Sequence, residues 1–381
     1  MKRILVLHNK YQNIGGEDIA VENEIVFLKK FYNVETLFFK NELRNILDLK
    51  YLLFSNNKNS NLILRNKIKE FNPEFVYIHN TWFKASLGIF DVLEEEKINT
   101  ILKIHNFRYY CTRSVKSKIH LGEDQFCLAC GYNPVRRRYF NRYFSDSIFK
   151  SLFVIFYGLK YIKILKKPNI KVLVLTRFHQ NFIKKIINLS NKVFVFPNPI
   201  DLKANTENEK ENYIFYAGRI SKEKGIEELI QSFLKAELKN VNLKIAGEGP
   251  LANELKNKYN KNSNIEFLGL QSNNNVLKYI SKSLAVVSAT RLYEGQPTLL
   301  CEASLLGVPA IFPNTGGVNE FFPKDYKFSY NQFEYDELVH TLKMIKDETL
   351  LDEMGKENKK FIEEYLNEKK LQTAFSKILS E

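Results

Sequence analysis

Residues 213–249 read YIFYAGRISKEKGIEELIQSFLKAELKNVNLKIAGEG. An apolar run, YIFYA, comes first. A glycine and a cationic loop follow it, then a helix-length stretch over Ile226–Leu234, then a second apolar run within VNLKIAGEG. Short β-rich run, helix, short β-rich run is the βαβ unit, whose strands lie parallel with helices over the faces.

The same rhythm continues on both sides. Downstream come the runs IEFLG, LAVVSAT and VPAIFPN, separated by helical stretches at Leu251–Tyr259, Val276–Ser283 and Thr298–Leu306. Upstream come RILVLHN, VETLFF, EFVYIHN, TILKIHN, KVLVLT and KVFVFPN, with helical stretches such as Glu17–Phe31 and Ala85–Glu96. Two such series predict an α/β protein of two doubly wound, Rossmann-like domains. The break falls at Pro199–Asn212, PIDLKANTENEKEN, which is polar and begins with proline, as a linker does. The expected division is 1–200, then 201–365, with a terminal helix over 366–381 packing back on the first domain. One segment, Phe107 to about Val135, resists the rhythm; a loop that long is usually functional or disordered.

Length and composition agree with this. The chain has 381 residues, 44% hydrophobic and 26% charged, which suits two or three globular domains and excludes a disordered chain, a collagen or a coiled-coil rod. Four cysteines are too few for a disulfide scaffold and point to a reducing compartment. The opening MKRILVLHNKYQ has an apolar run too short for a signal peptide and reads as a first strand.

The net charge of +14 is unevenly spread. Residues 1–200 hold 33 Lys and Arg against 16 Asp and Glu; residues 201–381 hold 24 against 27. Such asymmetry implies one basic and one near-neutral domain, the basic one attracting nucleic acid, anionic lipid or phosphorylated substrates, or simply staying soluble. The stretch Arg136–Lys167 interleaves aromatic and aliphatic residues with nine basic ones, Arg136, Arg137 and Arg138 among them. Ser147–Leu165 is long enough to span a membrane, but a mid-span lysine costs about 2.5–3.5 kcal/mol and Lys150, Lys160 and Lys163 all lie inside it. An interfacial helix fits better; a core helix with snorkelling lysines is the alternative.

The most informative string is YEGQPTLLCEA, between a strand and a helix. Pro297 suits a first helical turn. The amides of Thr298, Leu299 and Leu300 would be unpaired at the positive end of the helix dipole, an anion site fit for a diphosphate. Thr298 and Glu302, at i and i+4, share a face, so Glu302 can accept hydrogen bonds from vicinal hydroxyls of a ribose, and Glu294 from a sugar ring. Capping or surface roles are the bland alternative for both. Arg219 and Lys224 follow Gly218 on a loop between strand and helix. Two cations there can neutralise charge on a departing diphosphate.

With these motifs in this order, the chain resembles glycosyltransferase family 4, retaining nucleotide-sugar transferases of GT-B architecture. The likeness runs from GGED near the start through PNPID to the last helices. It implies two Rossmann-like domains facing a cleft. It also implies that Arg219 and Lys224 hold the donor diphosphate, Glu294 the donor sugar and Glu302 the ribose. Gly295, Gln296, Pro297, Thr298 and Leu299 form the loop against sugar and phosphate, and Leu270 marks where backbone meets the base. No cofactor is required. Departures are PNPID in place of the family's PNG, and EGQP in place of the commoner Phe-containing loop, so sugar preference does not carry over.

In the first half, Gly15-Gly16 would let backbone approach a phosphate or make a plain turn. Glu17 and Asp18 read as capping charges. His79 ends a strand where the family's histidine meets the donor sugar. Trp82, the sole tryptophan, could stack on an acceptor sugar or fill the core. Cys111, Cys127 and Cys130, with fifteen and two residues between them, admit a structural zinc with His105 or His120, buried thiols, or a redox pair. Arg108 and Arg113 flank that loop and could meet an acceptor diphosphate.

The expected protein is thus a glycosyltransferase taking sugar from a nucleoside-diphosphate sugar to a saccharide acceptor, lipid-linked on the reading of the basic aromatic segment, at the inner face of the cytoplasmic membrane in surface polysaccharide synthesis. A sugar-nucleotide 2-epimerase shares the architecture. A nucleic-acid-binding protein would leave the second half unexplained.

Overall fold

The computed structural model describes residues 1–10, 15–41, 55–107, 148–188, 192–202 and 209–381. The chain divides into two compact units: Met1–Pro199 together with Leu371–Glu381, and Ile200–Lys370.

The first unit contains β1 (Arg3–Lys10), α1 (Gly16–Lys29), β2 (Asn33–Lys40), α2 (Lys58–Phe71), β3 (Phe75–Ile78), α3 (Ile89–Glu95), β4 (Asn99–Ile104), α4 (Ile148–Leu165), β5 (Ile170–Val174), α5 (Arg177–Ile187) and β6 (Val193–Val195). The second contains β7 (Tyr213–Ala217), α6 (Ile226–Ala236), β8 (Asn242–Ala246), α7 (Ala252–Lys258), β9 (Ile265–Gly269), α8 (Asn273–Lys282), β10 (Ala285–Val287), α9 (Thr298–Leu305), β11 (Ala310–Asn314), β12 (Ser329–Asn331), α10 (Tyr335–Met344) and α11 (Glu348–Tyr365). The last helix, α12 (Glu368–Ser380), returns to the first unit from Leu371 onward.

Both sheets are parallel, in the orders β2-β1-β3-β4-β5-β6 and β12-β11-β10-β7-β8-β9. A parallel sheet is covered on both faces, so its strands read as unbroken apolar runs. Ile4, Leu5, Val6 and Leu7 accordingly are all fully buried. The second sheet adds a short strand, β12, that the apolar runs did not announce.

The α12 helix contributes Leu371, Phe375, Ile378 and Leu379 to a core with Tyr77 and Phe196. Tyr32 and Ser376 hydroxyls lie 2.7 Å apart, and Lys171 Nζ donates to the Ile378 carbonyl at 2.7 Å. Burying a side chain like Phe375 stabilises by about 1.5–3 kcal/mol.

One polar group set is sealed in this core. Lys103 Nζ donates to both oxygens of Glu24 at 3.0 and 2.8 Å, and the Tyr77 hydroxyl donates to Glu24 at 2.6 Å. Both charged side chains are fully inaccessible. Burial holds the Glu24 carboxyl above and the Lys103 ammonium below their ordinary values, against the pull of each on the other. Such a pair adds little net stability but is expensive to halve, because the survivor stays buried and unpaired. Lys103→Ala should therefore cost about 3–5 kcal/mol in urea unfolding. The double change Lys103→Met with Glu24→Leu should recover much of it, and a single variant within 1 kcal/mol or so of wild type would contradict the burial argument.

Candidate active site

In the second sheet the strand order reverses at β7. The chain proceeds outward through β8 and β9, then crosses to β10 on the other side of β7. Ala285 pairs with Ile214 and Val286 with Phe215. Loops leaving neighbouring strands in opposite directions open a crevice at the carboxyl edge, the usual ligand position in such sheets. The loop after β7 carries Gly218, Arg219 and a 3-10 turn at Lys222–Lys224. The loop after β10 carries Glu294–Pro297 into α9.

These two loops meet. Lys224 Nζ lies 2.5 Å from Glu294 Oε1, and Thr290 Oγ1 donates to the same oxygen at 2.9 Å. The Glu294 backbone is held by the next turn, where the Gly317 amide donates to its carbonyl at 2.9 Å. At Gly316, φ is +57°, and a Cβ there would fall 2.4 Å from the Glu294 oxygen; only glycine allows this approach. Arg219 is exposed, and its guanidinium has no ion-pair partner among the described residues.

The α9 helix starts at Thr298, with Pro297 as its N-cap, one position earlier than a first-turn proline, and no side chain caps it. The first amide bonded back is that of Cys301, to the Pro297 carbonyl at 2.9 Å. The amides of Thr298, Leu299 and Leu300 thus have no partner among the described residues, leaving donors and the positive helix end for an anion. Gly295 and Gln296 are buried, Gln296 bonded to the Cys301 thiol. Glu302 is 6% exposed, with no side-chain partner among the described residues, and burial raises its carboxyl to about 7. Leu270, at the end of β9, is 72% exposed.

The strand ends of the first unit hold a second group of polar side chains. His79 is buried after β3, its Nδ1 2.9 Å from Nε2 of His105 after β4. The rings stack, and Nε2 of His79 has no partner among the described residues. Burial first, then His105, Lys103 and His8, hold His79 well below the ordinary imidazole value. It is therefore neutral and suited to orienting a hydroxyl. Asp18 does more than cap. Its Oδ2 accepts the Gly15 amide at 2.9 Å, while Oδ1 meets His8 Nε2 at 2.8 Å. Gly15 and Gly16 have room around them; a Cβ at either would meet nothing closer than 3.9 Å. Trp82 is half-buried, its ring edge-on to Tyr157 of α4 at 4.7 Å.

The α4 helix has two faces. Tyr157, Tyr161, Ile162, Ile164 and Leu165 are buried, whereas Phe156, Lys160 and Lys163 are exposed. No described helix is long and apolar enough to cross a membrane. Arg108, Arg113, Arg136, Arg137, Arg138, Cys111, Cys127, Cys130 and His120 lie outside the described residues. Among the described residues no three His, Cys, Asp or Glu side chains group as metal ligands.

Sequence reasoning treated His105 only as a zinc ligand and passed over His8 and Thr290. The repeated ending IHN in EFVYIHN and TILKIHN was the available signal for the histidine pair, because parallel neighbours end at one edge.

The fold is two Rossmann-like units of the GT-B kind. Residues 198–361 match the family model described as glycosyl transferases group 1. A capsular polysaccharide biosynthesis glycosyltransferase, CapM, of Staphylococcus aureus is 30% identical over 164 residues, 40% of this chain and 42% of that protein. The chain thus matches less than half the length of this curated relative. Sucrose-phosphate synthase from Thermosynechococcus elongatus superposes with a TM-score of 0.71 at 13% identity, covering 99% of this chain and 98% of that one. Anabaena HepE in complex with UDP-glucose gives 0.71 at 14% identity, covering 100% of both chains.

Glu302 supplies a test independent of any ligand. A carboxyl raised from 4.5 to about 7 holds its proton more tightly when folded. Its stabilising contribution is complete below the unfolded value and is lost as pH rises through about 7. Glu302→Gln, which keeps the neutral shape, should match wild type in thermal unfolding at about pH 4, below the unfolded value. At pH 8 it should be more stable by on the order of 2 kcal/mol. An equal difference at both pH values would mean that Glu302 does not titrate there.

Proposed function

We propose that this chain is a retaining glycosyltransferase that moves a sugar from a nucleoside diphosphate to a lipid-linked saccharide in surface polysaccharide synthesis. The observation that carries the reading is the crevice edge of the second unit. Two cation-bearing positions, a fixed carboxylate and three unpaired helix-start amides converge there on the loops after β7 and β10. The group 1 match over this unit and the capsular polysaccharide relative support it.

In this reading the diphosphate lies at the start of α9. Arg219, Lys224 and the amides of Thr298, Leu299 and Leu300 stabilise the charge that grows as the anomeric C–O bond breaks. Glu294 orients the sugar through its hydroxyls, and Glu302 accepts from the ribose. Leu270 lies beside the base. The acceptor hydroxyl attacks from the face that the diphosphate leaves. Its proton passes to a departing phosphate oxygen, so configuration is retained without a protein nucleophile. His79, held neutral, orients rather than protonates.

UDP is the first nucleotide to test, since the HepE complex contains it. UDP or GDP should raise the melting temperature by binding the folded state. Lys224→Ala and Arg219→Ala should each lower sugar transfer about 100-fold or more, read as nucleotide release from UDP- or GDP-sugars. Near-normal turnover in both would refute the site.

The acceptor reading rests on charge. Between Gln125 and Ile200 stand 14 basic residues and one acidic, Asp146, and α4 turns Phe156, Lys160 and Lys163 outward. Anionic lipid attracts such a surface at about 1 kcal/mol per lysine, placing the protein at the inner face of the cytoplasmic membrane. The chain should float with vesicles containing phosphatidylglycerol, and Lys160→Glu with Lys163→Glu should sink. Flotation equal to wild type would end the membrane part alone.

A further inference from the structure

We propose that the Lys224–Glu294 ion pair is a latch that a nucleotide sugar opens at little cost and a bare nucleoside diphosphate does not, so that the site discriminates the loaded donor from its spent product. This rests on the functional reading above and adds a specificity role for the contact between the two residues.

The two partners differ in how firmly they are held. Glu294 has a second bond to its carboxylate from Thr290 Oγ1 at 2.9 Å. Its main chain is clamped by the Gly316-Gly317 turn. Thr290 is itself braced, since Gln332 Nε2 donates to its carbonyl at 3.3 Å and the Leu292 amide donates to its hydroxyl at 3.3 Å. Lys224 closes a three-residue turn, and Glu294 is its sole ion-pair partner among the described residues. Its ammonium rides on a flexible four-carbon stem. When a diphosphate reaches the α9 start, the lysine swings and the glutamate stays.

That movement leaves the Glu294 carboxylate with Thr290 alone. The pair is only a quarter to a third exposed, at 31% and 26%, so a stranded charge is not fully repaid by water. A sugar on the diphosphate presents hydroxyls that donate to Glu294 and replace the lost ammonium. A bare diphosphate has no such donors at that place. Arg219, exposed and without an ion-pair partner among the described residues, gives both ligands the same basal attraction. After transfer the hydroxyls have left with the acceptor, Glu294 competes again for Lys224, and the nucleotide is released more readily. By linkage, whatever the pair takes from the diphosphate it returns when the sugar is present.

The test is isothermal titration of the full chain with UDP and UDP-glucose, and with GDP and GDP-mannose. Glu294→Gln removes the charge that holds Lys224. It should bind the bare nucleotide roughly 3- to 10-fold more tightly than wild type and the nucleotide sugar more weakly. Thr290→Val should lower the preference for nucleotide sugar over nucleotide, and Thr290→Ser should restore it. In a Lys224→Met background, Glu294→Gln should no longer tighten the bare nucleotide. Thermal unfolding of each variant separates a folding defect from a binding one. If wild type binds a nucleoside diphosphate and Glu294→Gln binds it no tighter, the latch is wrong and the transferase reading stands. If wild type binds neither UDP nor GDP, that reading fails and takes the latch with it.

Discussion

Parallel pairing of β7 with β10 is the constraint on which the candidate site depends. Lys224 and Glu294 are 70 residues apart in the chain. They meet because two adjacent parallel strands end at the same edge, each followed by a loop that must turn there. The turns are tight enough to need backbone without side chains. A Cβ on Gly225 would fall 2.0 Å from the Ala289 carbonyl oxygen, and φ there is +66°. The close packing of these loops is what lets a lysine on one reach a carboxylate on the other, and it fixes where the unpaired amides of α9 are presented.

Two buried polar sites are treated in opposite ways. In the first, Glu24, Lys103 and Tyr77 satisfy one another completely, and the aromatic rings of Phe196 and Phe375 close over them. Nothing there invites a ligand. In the second, Glu302 is buried without a side-chain partner among the described residues, and no side chain caps the α9 helix there. An incompletely satisfied buried group costs free energy in the resting protein. In the functional reading that cost falls where the ligand would bind. The histidines after β3 and β4 fall between these extremes, bonded to each other on one side and open at His79 Nε2 on the other.

Much of this was legible along the chain. Eleven apolar runs correspond to β1 through β11; the central strands are buried on both faces and so apolar at successive positions, while the edge strands β2 and β9 are only partly covered. Two elements were not legible. The α2 helix is rich in Asn and Lys and buries only Ser60, Leu64 and Ile68, a stripe one residue wide at each turn. The β12 strand is three residues, SYN, too short to show a period. At the site, residue types and loop positions could be read, but not partners. The sequence suggests Lys224 for phosphate and Glu294 for sugar as separate tasks; their direct contact exists only once the order of strands is known. Asp18 likewise read as a helix charge because His8, ten residues away, comes beside it only when β1 and α1 are folded.

The α4 helix has a core face and an exposed face at once. An amphipathic pattern with aromatic residues on both sides serves each face differently. Tyr157 is locked inward, its hydroxyl 2.5 Å from Thr81 Oγ1 and its ring against Trp82. Thr81 and Trp82 lie two and three residues beyond His79. The helix is therefore tied to the segment that carries a candidate site residue, while Phe156, Lys160 and Lys163, at i, i+4 and i+7, form one outward stripe. In the functional reading this linkage has a use: a lipid surface recruited by the stripe is held at a fixed distance from the strand ends of the first unit. The core face supplies the rigidity, the outer face the attraction, and neither could do so alone.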